Sequence, residues 1–424
     1  MTQTTRALRA NILHAPTLGK IEALPHGVLI VEDGVIAGVF PELPEAYRGI
    51  ETQDYGDRLL IPALCDLHLH APQYPMMGMG MDLELLEWLN TYTFPGEERF
   101  ADPEYAEGIY AALARELVKK GTTRAAIFAS VHLPATRILV EELERAGISA
   151  YVGKVNMDRN CTGGLMEQAE RSLGDTRVFV EELLARGGSV RPILTPRFSP
   201  NCTDALMQGL GALADEYDLP IQSHLSENES EVQWVRSLYP GAAGYWESYA
   251  RFSLFRPRTL MAHCVHSDER ERAAIRDHGV WVVHCPDSNV NLMSGIAPVR
   301  RMLNEGLSVA LGSDISGGST LSMMQIATIA IRASKQRRIE TKGEDAFLTF
   351  AEAFYLATSA GAQYFGEGPG FRAGDPLHAL VLDDGALPDS GRLPLENRLE
   401  RLFYAADDRT IAARYANGKK LEAV

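Results

Sequence analysis

The chain is poor in cysteine and shows no pattern in the little it has. Cys65, Cys161, Cys202, Cys264 and Cys285 are five scattered thiols in 424 residues, with no C-x-x-C pair among them. That excludes a disulfide scaffold, a paired-cysteine zinc knuckle and a dithiol redox motif, and it fits a reducing cytoplasmic setting. Long apolar runs are missing as well: none reaches the roughly 18 residues that a membrane span needs. The opening MTQTTRALRANILHAPTLGK has no apolar stretch behind its arginines, so neither secretion nor membrane insertion is expected. Positive charge is in short supply. With 41 Lys and Arg against 56 Asp and Glu, the formal net charge is −15 without a long run of one sign, which repels nucleic-acid phosphates and anionic membranes.

What remains is the composition of a soluble globular protein, 46% hydrophobic and 23% charged. A chain of this length buries a substantial core without covalent staples. Its first sixty residues read as short strands broken by Gly, Pro and Asp, including GVLIVEDGVIAGVF with its D-G turn. Apolar runs then alternate with segments of helical period such as PEYAEGIYAALARELVKKG, the signature of repeated βα units. Eight runs can be counted: LLIPALCDLHLH, TTRAAIFAS, SAYVGKVNM, VRPILTPR, LPIQSHLSE, RTLMAHCVH, VWVVHCPDS and LSVALGSD. The expected fold is α/β, a closed (β/α)8 barrel over residues 63-370. Residues 1-62 and 371-424 are expected to form a small flanking β-sandwich built from both termini. In that tail DPLHALVLDD, RLERLFYAADD and TIAARYANGKKLE all read as strands and hairpins.

Catalytic groups of such barrels sit at the C-terminal ends of the strands. Those ends carry His68 and His70, Arg197, His224, His263 and His266, His284 and Asp314, which accounts for six of the eleven histidines. His68 and His70 are two apart on one strand, so both rings face the same side. With His224 and Asp314 they make a set of three imidazoles and one carboxylate, suited to one zinc ion and less to iron or manganese. Glu227, three residues past His224, is placed to shuttle protons, its rival role being to cap the helix EVQWVRSLY. Asp314 can share the acid and base work. His263 is expected to position water and developing charge by hydrogen bonding, while His266 and His284 are assigned structural or supporting roles. The fourth run ends in Arg197 with no lysine to bridge a second ion, and Lys154 in the third run reads as a core-edge residue, so a single ion is expected.

LIPALCDLHLH, QSHLSEN, MAHCVH and LGSD resemble the motifs of the amidohydrolase superfamily, in particular its mononuclear deaminases of amino heterocycles. HAPQY, DLELLEWLNTYTFPGEERF, AYVGKVNMD, LTPRFSPNC, IQSHLSENESEV, VHCPDSN and GSDISGGSTLSM follow in the order seen in the guanine deaminase family. The resemblance implies zinc at His68, His70, His224 and Asp314, Glu227 as proton shuttle and His263 beside the attacked carbon. It also implies a guanine ring held by Gln73, Arg197 and Phe198, and a homodimer. Gln offers a donor and an acceptor, Arg donates to a ring carbonyl, and Phe198 packs on the base or serves as a core aromatic. Two departures stand out: His378 replaces the usual Asp of the C-terminal signature, and strand eight reads GSD where relatives have GTD. Rival readings are deamination of another purine or a pterin, and a barrel kept as a noncatalytic scaffold.

Overall fold

The computed structural model describes residues 4–422. The N-terminal segment supplies β1 (Thr5–Thr17), β2 (Lys20–Glu32), β3 (Val35–Phe40) and β4 (Glu51–Pro62). β1 pairs antiparallel with β2 and parallel with β4. Only Ala63 separates β4 from β5 (Leu64–His70), so the chain passes straight from this sheet into the barrel.

The barrel strands follow as β6 (Thr122–Phe128), β7 (Ser149–Gly153), β8 (Val155–Asn156), β9 (Val190–Pro192), β10 (Thr195–Pro196), β11 (Ile221–Leu225), β12 (Thr259–His263), β13 (Trp281–His284) and β14 (Ser308–Leu311). All eight expected runs contain a strand. The third and fourth are each interrupted: β7 and β9 pair at one level, β8 and β10 pair separately nearer the mouth. Prolines explain part of this, because Pro192 and Pro196 have no N–H to extend a ladder. The parallel ladders run β5-β6-β7-β9 and β11-β12-β13-β14. Two seams join them into a closed ring. At one, Gln222 N–H donates to the Leu194 carbonyl at 2.9 Å; at the other, Asp314 N–H donates to the His68 carbonyl at 2.8 Å and His70 N–H to Ile315 at 3.1 Å.

The tail contributes β15 (Ala379–Leu382), β16 (Ile411–Ala416) and β17 (Lys419–Lys420). β15 pairs with β4, placing both termini in one seven-stranded sheet of order β17-β16-β15-β4-β1-β2-β3. The termini therefore unite as expected in a small sandwich flanking the barrel: the sheet folds back on itself, with Val35 bridging to Pro376 and Tyr55 Oη meeting Tyr415 Oη at 2.6 Å. One sequence expectation needs correcting: RLERLFYA is not a strand but lies in a helix, Leu395–Ala405. Leu395, Leu399, Leu402 and Phe403 recur at helical spacing, and the last three are buried in the core cluster shared with the barrel. That cluster also takes in Leu13, Leu59, Ile61, Leu380 and Leu382 from the sheet, so the sheet and the barrel floor bury one continuous apolar surface. No helix among the described residues is long and apolar enough to cross a membrane.

Lys154 is the second correction. It is not at the core edge: its side chain is wholly buried, with Nζ 2.6 Å from Glu167 Oε1 and 3.1 Å from the Val155 carbonyl. Glu167 in turn accepts from Ser172 Oγ at 2.8 Å, tying the broken third strand to the helix Ala169–Arg186. Removing one partner of a buried pair leaves the other charge uncompensated, at a cost of about 3–5 kcal/mol. Lys154→Met is therefore expected to lower the free energy of unfolding by about 3 kcal/mol. Urea titration checks this, and a change below about 1 kcal/mol would show that water reaches Glu167 readily.

Candidate active site

The first barrel strand is buried along its whole length, and His68 and His70 project from its end into the mouth. Asp66, two residues upstream, fixes their approach. Its carboxylate accepts from the backbone N–H of His68 and from both the N–H and hydroxyl of Ser313, linking strand one to strand eight across the seam. Burial pushes the Asp66 carboxyl up to about 6 against these hydrogen bonds. Ser313 thus does the bonding that a threonine would do in GTD, so the GSD departure leaves the site intact. His378 lies elsewhere, with Nδ1 3.0 Å from Thr123 Oγ1 beneath the barrel.

Four side chains meet at one point. His70 Nε2 is 3.1 Å from His224 Nε2, and Asp314 Oδ1 is 3.2 Å from His68 Nε2 and 3.6 Å from His70 Nε2. His224 Nδ1 lies 2.6 Å from the Arg197 carbonyl, a contact that requires the proton on Nδ1 and leaves a lone pair on Nε2. Burial, then the neighbouring imidazoles, holds His70 and His224 well below the ordinary histidine range, so both are neutral. For Asp314, burial raises the carboxyl, but close contact with the neighbouring imidazoles outweighs it and holds the group below its ordinary range, ionised. Neutral imidazole nitrogens and an ionised carboxylate aimed at one another repel unless a cation lies among them. His68 Nε2 is moreover buried without a hydrogen-bond partner. His68, His70 and His224 gather as a triad able to hold an ion, and Asp314 joins it through His68 and His70, so the residues fit a divalent ion and an N3O donor set suits zinc.

His263, the last residue of β12, and Asp314, three residues past the end of β14, both adopt left-handed backbone, at φ 74° and 49°. Such conformations cost about 1–3 kcal/mol each for non-glycine residues and persist where the surroundings impose them. The bend of His263 points its ring inward, where Nδ1 is 2.8 Å from Asn289 Oδ1 and Nε2 faces Glu227 at 3.5 Å and Asp314 Oδ2 at 3.8 Å. Burial lowers His263 to about 4. Glu227 does not cap the following helix. Asn228 is the N-cap of Glu229–Leu238 and forms a capping box with Glu231, leaving the Glu227 carboxyl free to reach the cavity. Burial, then the charges of Asp314 and Glu231, raises that carboxyl well above its ordinary range.

The cavity is lined by His70, Gln73, Leu85, Trp88, Leu89, Arg197, Phe198, His224, Glu227, Glu231, His263, Leu292 and Asp314. Thus Gln73, Arg197 and Phe198 all reach the same space as the imidazole cluster. His266 and His284 do not. His266 Nε2 meets the Ser294 carbonyl at 2.9 Å, fastening two loops, and His284 is buried beside His263 with its pKa pushed by burial down to about 3. Three orienting side chains escaped the sequence reading, Asp66, Asn289 and Glu97, as did the apolar liners Trp88 and Leu89. Asp66 could have been noticed inside CDLHLH, and Asn289 within CPDSN, since a ligand or catalytic ring usually has an orienting partner. Glu97 gave no such signal.

A closed eight-stranded barrel with imidazoles and a carboxylate converging at the C-terminal mouth defines a class, the barrel metal-dependent hydrolases. The chain belongs to the amidohydrolase family, whose profile matches residues 59–421. It is 38% identical over 442 residues to the guanine deaminase of Dictyostelium discoideum, covering 98% of each chain, and 38% identical to the guanine deaminase of Rattus norvegicus, covering 85% of this chain and 82% of that one. The solved structure of guanine deaminase from C. acetobutylicum with guanine in its active site superposes with a TM-score of 0.97 at 44% identity, covering 99% of this chain and 100% of that one.

Proposed function

We propose that this chain hydrolyses guanine to xanthine and ammonia, with one zinc ion held by His68, His70, His224 and Asp314. The observation that carries the reading is a single cavity that joins this cluster to a polar wall of Gln73 and Arg197. A divalent ion in the cluster supplies Lewis acidity that brings the pKa of a water down toward about 7. The remaining work falls to side chains. Glu227, buried and basic for a carboxylate, would take the two protons of the attacking water in turn, passing the first to the ring nitrogen and the second to the departing amine. His263 accepts from that water through Nε2 in its neutral form and donates to developing negative charge when protonated. Asp314 keeps its second oxygen toward His263 and shares proton handling. Arg197 donates to the ring carbonyl, Gln73 bonds the ring edge, and Phe198, Trp88 and Leu89 give the flat base an apolar wall that excludes water.

The test is ammonia release from guanine, adenine, cytosine and pterins, with metal assayed on the same sample. Release from guanine with about one equivalent of metal is expected. No release from guanine but turnover of another amino heterocycle would move the substrate to that ring. A protein that holds no zinc, iron or manganese would revive the noncatalytic barrel. Arg197→Met is expected to raise KM for guanine about 10–100-fold, the equivalent of a charged hydrogen bond of about 1.5–3 kcal/mol. An unchanged KM would remove Arg197 from recognition.

The reading includes a cytoplasmic homodimer. Five free thiols, four of them buried, suit a reducing compartment. Exposed Val290 and Met293, beside Ile296 and Ile329, line an apolar groove open to a second copy. Light scattering at micromolar concentration checks the mass.

A further inference from the structure

The polar wall of the cavity is held by a residue outside the motifs that define the metal cluster. Glu97 lies at the end of the segment that crosses over the mouth after strand one, in a short helix, Phe94–Glu98. It is 3% exposed, and so is Arg197. Both Glu97 oxygens accept from Arg197 Nη1, at 2.9 and 2.7 Å, and Oε1 also accepts from Gln73 Nε2 at 2.9 Å. On its other side, Gln73 Oε1 accepts from the backbone N–H of Ser316 at 3.2 Å. One carboxylate therefore touches both polar side chains of the wall, which come from positions 24 and 100 residues away along the chain.

We infer that Glu97 is the positioning residue for base recognition: it fixes the amide polarity of Gln73 and the rotamer of Arg197, and so presents a set donor and acceptor pattern to the ring. The inference rests on the guanine reading above and names what makes that reading selective. The donor and acceptor logic is closed. An ionised carboxylate only accepts, so Gln73 must turn its NH2 toward Glu97 and its carbonyl toward Ser316. Each of these groups keeps capacity for substrate: one N–H and one lone pair on Gln73, and on Arg197 the Nε and Nη2 hydrogens, which have no protein partner among the described residues. Arg197 Nη1 is held between both Glu97 oxygens, so one end of the guanidinium is anchored and its rotamer fixed. Its charge is also balanced, so a neutral base is bound without an uncompensated cation in the cavity. Phe94, three residues before Glu97, lies under the guanidinium with its ring centroid 5.2 Å away, so the same segment supports Arg197 from a second direction.

A glutamine at this position keeps the shape but offers one acceptor and one donor. Its NH2 must then face either Arg197 or Gln73, both donors, and one of the two loses its fixed orientation. The experiment compares purified wild-type enzyme with the E97Q and E97D variants for kcat, KM and metal content, using guanine, or whichever amino heterocycle the wild type turns over. The result expected of E97Q is a KM at least about tenfold higher with metal content unchanged and kcat within about threefold. E97D, which keeps an acceptor-only group, is expected to fall between. Loss of kcat and metal in proportion, at unchanged KM, would reduce Glu97 to a structural ion pair and overturn the inference. So would wild-type KM in a folded E97Q. A cycle with R197M separates direct from relayed action: with Arg197 absent, E97Q should raise KM by less than about threefold, and fully additive effects would also overturn the inference. A wild type inactive on guanine but active on another ring refutes the guanine reading alone, because the KM comparison on that ring still tests Glu97.

Discussion

Glu227→Gln should leave the metal content at its wild-type level and lower kcat by at least about a hundredfold, the usual contribution of a positioned acid or base. The expectation follows from where the carboxyl sits. Its Oε1 is buried with no hydrogen-bond partner, and its Oε2 faces His263 Nε2 at 3.5 Å, so the group is not satisfied by structure and has been left to the cavity. A buried oxygen without a partner costs about 1–3 kcal/mol, a penalty that a purely architectural residue would have no reason to carry. The raised pKa, caused by burial and then by the Asp314 and Glu231 charges, makes the carboxylate a stronger base, fit to take up a proton and hand it on. A glutamine fills the same volume and hydrogen-bonds similarly, but it cannot carry the proton between water and amine. Metal analysis and steady-state kinetics on one preparation decide the matter. Turnover within threefold of wild type would take Glu227 out of the mechanism, and parallel loss of metal would make it part of the metal cluster.

The barrel and its cluster were legible because both follow from rules local in sequence. A strand of period two ending at His68 and His70 puts both rings on one face, and the C-terminal ends of parallel strands are where a barrel gathers chemistry. Any residue at such an end is marked by position alone, which is why His224, His263 and Asp314 stood out although 35 or more residues of chain separate each from the last. Pairings that depend on side-chain reach left no comparable mark. Glu97 sits in FPGEERF among other acidic residues and looks like a solvated helix end; its partners, Gln73 and Arg197, are brought to it by the fold. Lys154 was misjudged for the same reason, since Glu167 reaches it from a loop thirteen residues on. The tail helix Leu395–Ala405 was missed because a short apolar run suits strand and helix equally, and the run is placed by packing of Leu399, Leu402 and Phe403 against the barrel floor.

His68→Ala is expected to lose metal and activity together. The wild-type cluster offers three imidazoles and one carboxylate, and of these His68 is the ring nearest Asp314, at 3.2 Å. Removing it takes away one of four donors and leaves a hole where water enters, so the cluster no longer meets the tetrahedral demand of a structural or catalytic zinc. Loss of an outer hydrogen-bond partner alone costs a metal site about 10–100-fold in affinity or activity, and loss of a ligand should exceed that. After dialysis the variant should therefore hold less than about a tenth of an equivalent of metal and turn over guanine at least a few hundredfold more slowly. Folding is expected to survive, because the ring is replaced beside Phe128 and the hydrogen bond that closes the barrel seam uses the His68 backbone carbonyl, which alanine retains. Circular dichroism checks the fold while metal analysis and ammonia release check the site. A variant that keeps both its metal and its turnover would show that His68 is not a ligand, and the cluster would have to be redrawn around His70, His224 and Asp314.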